Sequence, residues 1–598
     1  MNIKLEEMEN IYQARIARLR EMMARGGWDA VVIGGSDPHS SEYPADRWKQ
    51  VQWLSGFTGE AGDLVITADH AGLWTDTRYF IQALAQLDGT GVQLHKTRVP
   101  EQVLIPEWLA TQAFPGRNTV SIAVDGLCQR VSDIRALKAA FDEDTEVHIV
   151  SVPDLLDDLW EDRPAIPATE AYEVPEEVVG EGRASKLARL RGFLAAQGCD
   201  AALLSALDEI AWLLNVRASD IAYNPMAISY LLVSRDEVRW FVRKGRQTVP
   251  ALPDVEVLPY DDLPVSLAEG FGRLFVDPDT LNYHIFNLLD PESTVCGTSP
   301  VGLWKAVKNP VEIDGMREAH LEDGLAMEQF LWWLETSLEA GEPVSEWDAA
   351  CKLGTLRAAI PGYRGDSFET ISAYCPGAAL PHYITPQENA PQLHPHGLYL
   401  CDSGGQYLFG TTDITRTVPL GSCSDLEMED YTLVLKGHID LAMAIFPAGT
   451  AGCQIDALAR EPLWRAKRSF GHGTGHGVGF FLGVHEGPHD IRQNFNRQPL
   501  LPGMIATDEP GLYREGQHGV RHESVLLCRE AGGNEFGEWL EWENLTLCHI
   551  DTGAIIRDLM TKEEIDWLNV YNAHVYESLK DHLPADVAEW LQGKTKPI

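Results

Sequence analysis

The sequence predicts an α/β chain, with α+β texture in its last part, made of two tandem domains of one type and a third of a different kind. At 598 residues it is longer than one hydrophobic core usually serves, so several domains are expected. Two segments resemble each other. "RIARLREMMARGGWDAVVIGG" from Arg15 and "KLARLRGFLAAQGCDAALLSA" from Lys186 each run a basic amphipathic helix into G-x-D-A and an apolar strand. The spacing from Leu19 to Asp29 and from Leu190 to Asp200 is ten residues in both, and each copy then reaches a Trp-Leu pair, Trp53-Leu54 and Trp212-Leu213. The third observation is a change of texture near residue 309, after which short strands bounded by Gly and Pro carry nearly all the unusual polar clusters.

In chain order, the first domain is expected over residues 1–170 and the second over 171–308, with the Pro- and Glu-rich stretch "EDRPAIPATEAYEVPEEVVGEG" read as a linker between them. A Pro-broken connection then enters a long amphipathic helix in "AVKNPVEIDGMREAHLEDGLAMEQFLWWLE", which opens the third domain, 309–598. Its last part, "TKEEIDWLNVYNAHVYESLKDHLPADVAEWLQ", has helical periodicity and no catalytic signal, which fits helical packing or dimer contact.

Composition narrows the partners. Lys plus Arg number 48 against 89 Asp plus Glu, a formal net charge of −41, which repels nucleic acid and anionic membrane surfaces. The N-terminus mixes both charge signs without an apolar core, so no signal peptide is expected, and no run reaches the ~20 apolar residues of a membrane span. The ten cysteines form no C-x-x-C pair and read as buried free thiols of a cytoplasmic protein.

The third domain holds the chemistry. "FGHGTGHGVGFFLGVHEGP", Phe470 to Pro488, spaces His472 and His476 like a helical zinc pair, but its glycines exclude a helix at about 1 kcal/mol each. The pattern also fails G-x-G-x-x-G, since Phe480 stands where a third glycine is required. An extended chain with close backbone approach remains, and the neighbouring carboxylates decide whether a histidine there holds a metal. "GLYLCDSGGQYLFGTTDITRTV" reads as a hairpin turning at Ser-Gly-Gly, with Asp402 at the end of its first strand and Asp413 in its second. "LPGMIATDEPGLY" puts Glu509 at a strand end, and "GVRHESVLL" sets Arg521, Glu523 and Val525 on one strand face. Singly, each is explained by a turn or a wet strand edge. Together, four carboxylates and one imidazole make an oxygen-rich site whose charge two divalent cations cancel and one leaves uncompensated. Hard donors without thiolate favour Mn²⁺ or a similar first-row ion over structural zinc. Two such ions about 3.5–4 Å apart share and acidify a water and polarise a carbonyl, as amide hydrolysis requires.

With "SDPHSSEYPADRWKQVQWLSGFTGEAG", "LWTDTRYFIQA" and "WLLNVRASDIAYNP" in the first two domains and "DSGGQYLFGTTDITRTV", "GHGTGHGVGFFLGVHEGP", "DEPGLY" and "GVRHES" in the third, nearly the whole chain resembles the Xaa-Pro aminopeptidases (aminopeptidase P) of the long three-domain type. The resemblance implies two creatinase-N-like α/β domains and a C-terminal pita-bread catalytic domain with a helical extension. It implies metal ligands at Asp402, Asp413, His476, Glu509 and Glu523, with Asp413 and Glu523 bridging. It also implies substrate-site histidines at His382, His472 and His485. Glu509 is expected to shuttle the proton, Arg521 to orient an acidic ligand, and Arg78 of "TDTRYF" either to reach the substrate or to make a structural salt bridge. The cofactor expected is a pair of divalent ions, Mn²⁺ first, with Zn²⁺ or Co²⁺ as alternatives. The substrates are peptides with proline in second place, and the family implies a homodimer.

Phe409, His522, Ser524 and the "TDEP" sequence depart from the family pattern, none at a ligand position. Two other readings stand beside this one. A prolidase shares the five ligands but cleaves dipeptides only, and the tandem N-terminal domains weigh against it. A non-catalytic pita-bread module that binds peptides or proteins need not keep a complete ligand set.

Overall fold

The computed structural model describes residues 2–243 and 245–598. They fall into two compact units, one running to Glu173 and resuming over Glu181–Val301, the other comprising Val174–Gly180 and Gly302–Ile598.

The first unit contains two six-stranded sheets. In one, Ala30–Ile33, Asp63–Thr67, Ala71–Thr75, Gln93–Lys96, Thr119–Val124 and Glu146–Ser151 are arranged in the spatial order 4-3-2-1-5-6. In the other, Ala201–Leu204, Tyr230–Ser234, Val238–Val242, Glu256–Pro259, Leu274–Val276 and Thr294–Cys296 repeat that order. The directions repeat too: strand 2 is antiparallel to both its neighbours, and every other pairing is parallel. The helices Asn2–Gly26 and Arg183–Ala196 lead into the first strand of each, with Leu19 and Leu190 buried at matching positions. The shared aspartate has a local reason. Asp29 accepts the backbone N–H of Ser121, and Asp200 that of Arg273, each at 2.9 Å, so the carboxylate fastens the first strand to the fifth. The internal repeat in the sequence is therefore one fold used twice.

Part of the stretch read as a linker is ordered by pairing. Tyr172–Glu173 forms an antiparallel pair with Val216–Arg217, and Thr169 donates through both N–H and hydroxyl to Asp220.

The second unit opens with the helix Pro310–Glu339, started by a capping box in which Asn309 accepts from Glu312 and Glu312 accepts in return. Three sheets carry the acidic residues and histidines singled out in the sequence: Ile371–Tyr374 with Leu398–Ser403 and Ile414–Pro419; a six-stranded sheet including Gly475–Gly477, Glu486–Ile491, Ile505–Asp508 and Ser524–Asn534; and the pair Gly511–Arg514 with His518–Arg521. The helices Asp425–Ala442 and Lys562–Leu579 share a core through Leu435, Ile439, Leu568 and Val575. The C-terminal segment is helical as expected, Lys562–Leu579 and Ala585–Lys594.

Three local expectations change. The hairpin does not turn at Ser-Gly-Gly: Gly405–Tyr407 pairs with Gly410–Thr411, so the chain reverses at Leu408-Phe409 while Leu398–Ser403 pairs with Ile414–Pro419. Arg521 and Glu523 do not share a strand, because Arg521 ends the strand paired to Gly511–Arg514 and Glu523 sits just before Ser524–Asn534. Of the ten cysteines, all free, Cys296 and Cys351 are exposed and Cys375, Cys423 and Cys453 half-buried, rather than all buried.

Candidate active site

The antiparallel register Asp402↔Thr415 sets the first pair of acids. Asp402 lies in the last turn of its strand pleat, and Asp413 immediately precedes the opposite strand. Glu509 follows Ile505–Asp508, its N–H donating to Thr474 O at 2.7 Å, and Glu523 is held by its own N–H to Thr415 O at 3.0 Å. Backbone bonds between strands thus fix four carboxylates around one point.

His476 joins them from Gly475–Gly477. Its neighbours are glycines because the backbone is crowded: a Cβ on Gly475 would stand 1.9 Å from Thr507 O, and one on Gly477 2.0 Å from Glu486 O. The rest of this loop is pinned by Arg460, which donates to the carbonyls of Phe470 and His472 and pairs with Asp456, while Asp456 accepts from Thr474.

Asp413, His476 and Glu523 bring ligand-type atoms within 4.8 Å of one another. His476 Nδ1 donates to Gly477 O at 3.0 Å, which leaves Nε2 as a lone pair facing Asp413 Oδ2 and Glu509 Oε1, each at 3.5 Å. Three acceptors face each other there. Asp402 Oδ1 and Asp413 Oδ1 are buried without any hydrogen-bond partner among the described residues. Burial, then the charges of Asp402 and Glu509, push the Asp413 carboxyl well up. Burial and Asp413 do the same to Glu523, and burial raises Glu509 to about 7 against the pull of Arg521. Burial, then His485, hold His476 well below the usual imidazole range. Arg521 brings one positive charge into contact, clasping Asp402 through Nε and Nη2, and this leaves the four carboxylates a large excess of negative charge.

The expected substrate histidines gather at the same place. The His485 ring stands edge-on to His476 at 4.2 Å between centroids. His382 is near enough to add to the lowering of His472, which burial and Arg521 dominate, and the preceding Pro381 carbonyl accepts from Arg521. His472 has both nitrogens engaged: Nδ1 donates to Gly473 O, and Nε2 accepts from the Tyr513 hydroxyl at 2.8 Å. Tyr513 in turn accepts from Arg521 Nη1 at 2.6 Å, so His472, Tyr513, Arg521 and Asp402 form one chain.

Arg78 belongs to the first unit, where Nε and Nη2 both donate to Asp76. It lines a cleft of about 540 Å³ there.

Sequence reasoning did not single out Tyr513, Thr415 or Arg460. Tyr513 closes the quoted "DEPGLY", and Asp456 with Arg460 has the i, i+4 spacing of a helical ion pair, so both left a trace. Thr415, which donates to Glu523 Oε2 at 2.8 Å, left only its place across from Asp402. Of the departures, His522 is buried edge-on to Tyr431 with neither ring nitrogen partnered among the described residues. Phe409 occupies the hairpin reversal, and the Ser524 hydroxyl lies 3.5 Å from His438 Nε2.

Comparison with known proteins matches residues 15–159 and 162–312 each to a creatinase/prolidase N-terminal domain. Residues 314–530 match metallopeptidase family M24, and 538–598 the C-terminal region of that peptidase. Aminopeptidase P1 of Arabidopsis thaliana is 36% identical over 98% of this chain and 99% of its own. A probable Xaa-Pro aminopeptidase P of Laccaria bicolor is 37% identical over 98% of this chain and 93% of its own. An X-prolyl aminopeptidase of Caenorhabditis elegans, described as a cytosolic enzyme with a di-nuclear active site, superposes with a TM-score of 0.89 at 36% identity, covering 96% of this chain and 95% of that one. The fold is therefore two creatinase-N-like domains followed by a pita-bread domain. With such likeness running from end to end in sequence and in fold, the chain belongs to the aminopeptidase P family of metallopeptidases.

Proposed function

We propose that the chain is an Xaa-Pro aminopeptidase that hydrolyses the bond between the first residue of a peptide and a proline in second place. The observation that carries this is the convergence of Asp402, Asp413, Glu509, Glu523 and the His476 Nε2 lone pair, with acceptors face to face and two buried carboxylate oxygens unpartnered. Such a cluster fits cations. One dication leaves half of the charge of the four carboxylates uncancelled, and two cancel all of it. Asp413 and Glu523 would serve both ions, Asp402 one, and His476 with Glu509 the other. Divalent ions bound there supply Lewis-acid polarisation of the scissile carbonyl and a more acidic water. Mn²⁺ suits the hard donor set first, with Zn²⁺ or Co²⁺ as alternatives.

The chain's own residues do the rest. The Glu509 side chain is more accessible than those of Asp402 and Asp413, 20% exposed against 11% and 3%. It takes the proton of the attacking water and returns it to the proline nitrogen as the bond breaks. His382 and His485 face the substrate carbonyl and stabilise the charge that develops on its oxygen. His472 and Tyr513 hold Arg521, which orients Asp402. Arg78 stays a candidate for substrate contact. The molecule works as a cytoplasmic homodimer, a reading that rests on the family; no helix of the described residues is long and apolar enough to cross a membrane.

The test is release of the first residue from Xaa-Pro-Xaa and Xaa-Ala-Xaa peptides and from Xaa-Pro dipeptides, with and without added Mn²⁺. Metal-dependent cleavage of Xaa-Pro-Xaa alone supports the reading. Cleavage confined to dipeptides makes the protein a prolidase, and no cleavage of any peptide leaves a binding module.

A further inference from the structure

We propose that the second unit carries another ligand site, a cavity of about 290 Å³ that takes one small apolar primary amine. None of the residues of the candidate metal centre lines it. The helix Pro310–Glu339 presents Leu331, Leu334 and Leu338 to the cavity, and the end of Ile414–Pro419 adds Val418 with the following Leu420. Its volume is at the lower edge of the about 300–1,000 Å³ typical of small-molecule sites and far above the ~30 Å³ share of one water.

The polar groups define the ligand. His549 lines this cavity and is 1% exposed. Its backbone N–H donates to Glu328 Oε1 at 2.7 Å and its Nδ1 to Glu328 Oε2 at 2.8 Å, with Glu328 itself fully buried. The carboxylate thereby fixes the tautomer, so Nε2 offers a lone pair. That Nε2 has no hydrogen-bond partner among the described residues, which is unusual for a buried imidazole. Trp590 stands edge-on to His549 at 5.3 Å and also lines the cavity. On the same lining, Lys594 is already bound to Glu335 and to Asp551, the latter at 3.0 Å, and Glu339 adds a further carboxylate. Acid outnumbers base on this lining. A ligand therefore needs an N–H or O–H donor for His549, an apolar body for the leucines and a positive charge. A primary ammonium on a short alkyl or aryl body meets all three, whereas an alcohol lacks the charge and a carboxylate is repelled.

The experiment is calorimetric titration of the full-length, metal-loaded protein with phenethylamine and hexylamine, beside phenethyl alcohol and phenylpropionate. One amine should bind per chain, with the alcohol and the carboxylate at least tenfold weaker. Leu338→Trp, which fills the cavity, and His549→Phe, which removes the acceptor, should each abolish binding while circular dichroism and metal content stay those of the wild type. Asp413→Ala should bind the amine as the wild type does, which separates this site from the metal centre and from the peptidase reading. Absence of heat at millimolar amine, or unchanged binding in Leu338→Trp, overturns the proposal.

Discussion

Each carboxylate of the centre is costly where it stands, and that cost sets what its removal should do. Asp413 and Glu523 are 2% exposed; burial with the charges of Asp402 and Glu509 pushes the Asp413 carboxyl up, and burial with the charge of Asp413 pushes that of Glu523 up. If both serve two ions, Asp413→Ala or Glu523→Ala should lose both, and His476→Ala should retain one. Equal metal content in all three, measured by elemental analysis, contradicts the division of roles. His382→Ala and His485→Ala should keep the metal and lower kcat by about 10²–10³. A rise in KM alone would make them binding residues instead. Glu346 is a residue that the sequence did not reveal. It accepts from Tyr374 N and the Tyr383 hydroxyl, both at 2.7 Å, and so anchors the loop that carries His382. Burial raises its carboxyl from 4.5 to about 7 against those two bonds. Between these values the folded chain binds more protons than the unfolded one, so stability contributed at this site falls as pH rises. Glu346→Gln should flatten the dependence of Tm on pH between about pH 5 and about pH 7, and an unchanged slope would rule that out.

The strands and helices that carry these residues are tied by two buried polar knots. Arg416 donates to the carbonyls of Glu523, Cys548 and His549 and to the Tyr571 hydroxyl, and so links the ligand-bearing strands to the helix Lys562–Leu579. The C-terminal helices are thus part of the site's support. Asp430, fully buried on Asp425–Ala442, meets His518, Arg514 and Arg468, whose bonds and charges outweigh burial and hold its carboxyl below 3.8. Its contribution is present above that value and is lost as pH falls through the lower folded one. Asp430→Ala should cost about 3 kcal/mol or more at neutral pH, because two guanidinium groups and an imidazole lose a shared partner, and urea unfolding checks it. A loss under about 0.5 kcal/mol would mean that the knot is solvated. At this scale the sequence was legible where periodicity ran long, as in Pro310–Glu339 with its Asn-Pro start. It misled where one- and two-residue pairings decide. The reversal at Leu408-Phe409 and the break at His522 depend on which distant strand supplies hydrogen bonds, and no local propensity carries that information.

Across the whole molecule the repeat was the most legible feature, since one helix-turn-strand pattern with an aspartate at a fixed spacing recurs with its sheet order intact. The acids of the proposed centre were legible because Asp and Glu are out of place in apolar strands. The chain His472, Tyr513, Arg521, Asp402 was not, being assembled from three separate segments. The proposed homodimer is checked by light scattering: twice 66.3 kDa would support it, and the mass of a single chain would contradict it. The most direct test of the account is to strip the protein of metal and titrate it with Mn²⁺ while following release of the first residue from an Xaa-Pro-Xaa peptide. The account predicts little activity without metal and a rise that completes as two equivalents bind per chain. Full activity in the metal-free protein, or two bound equivalents with no release, would contradict it.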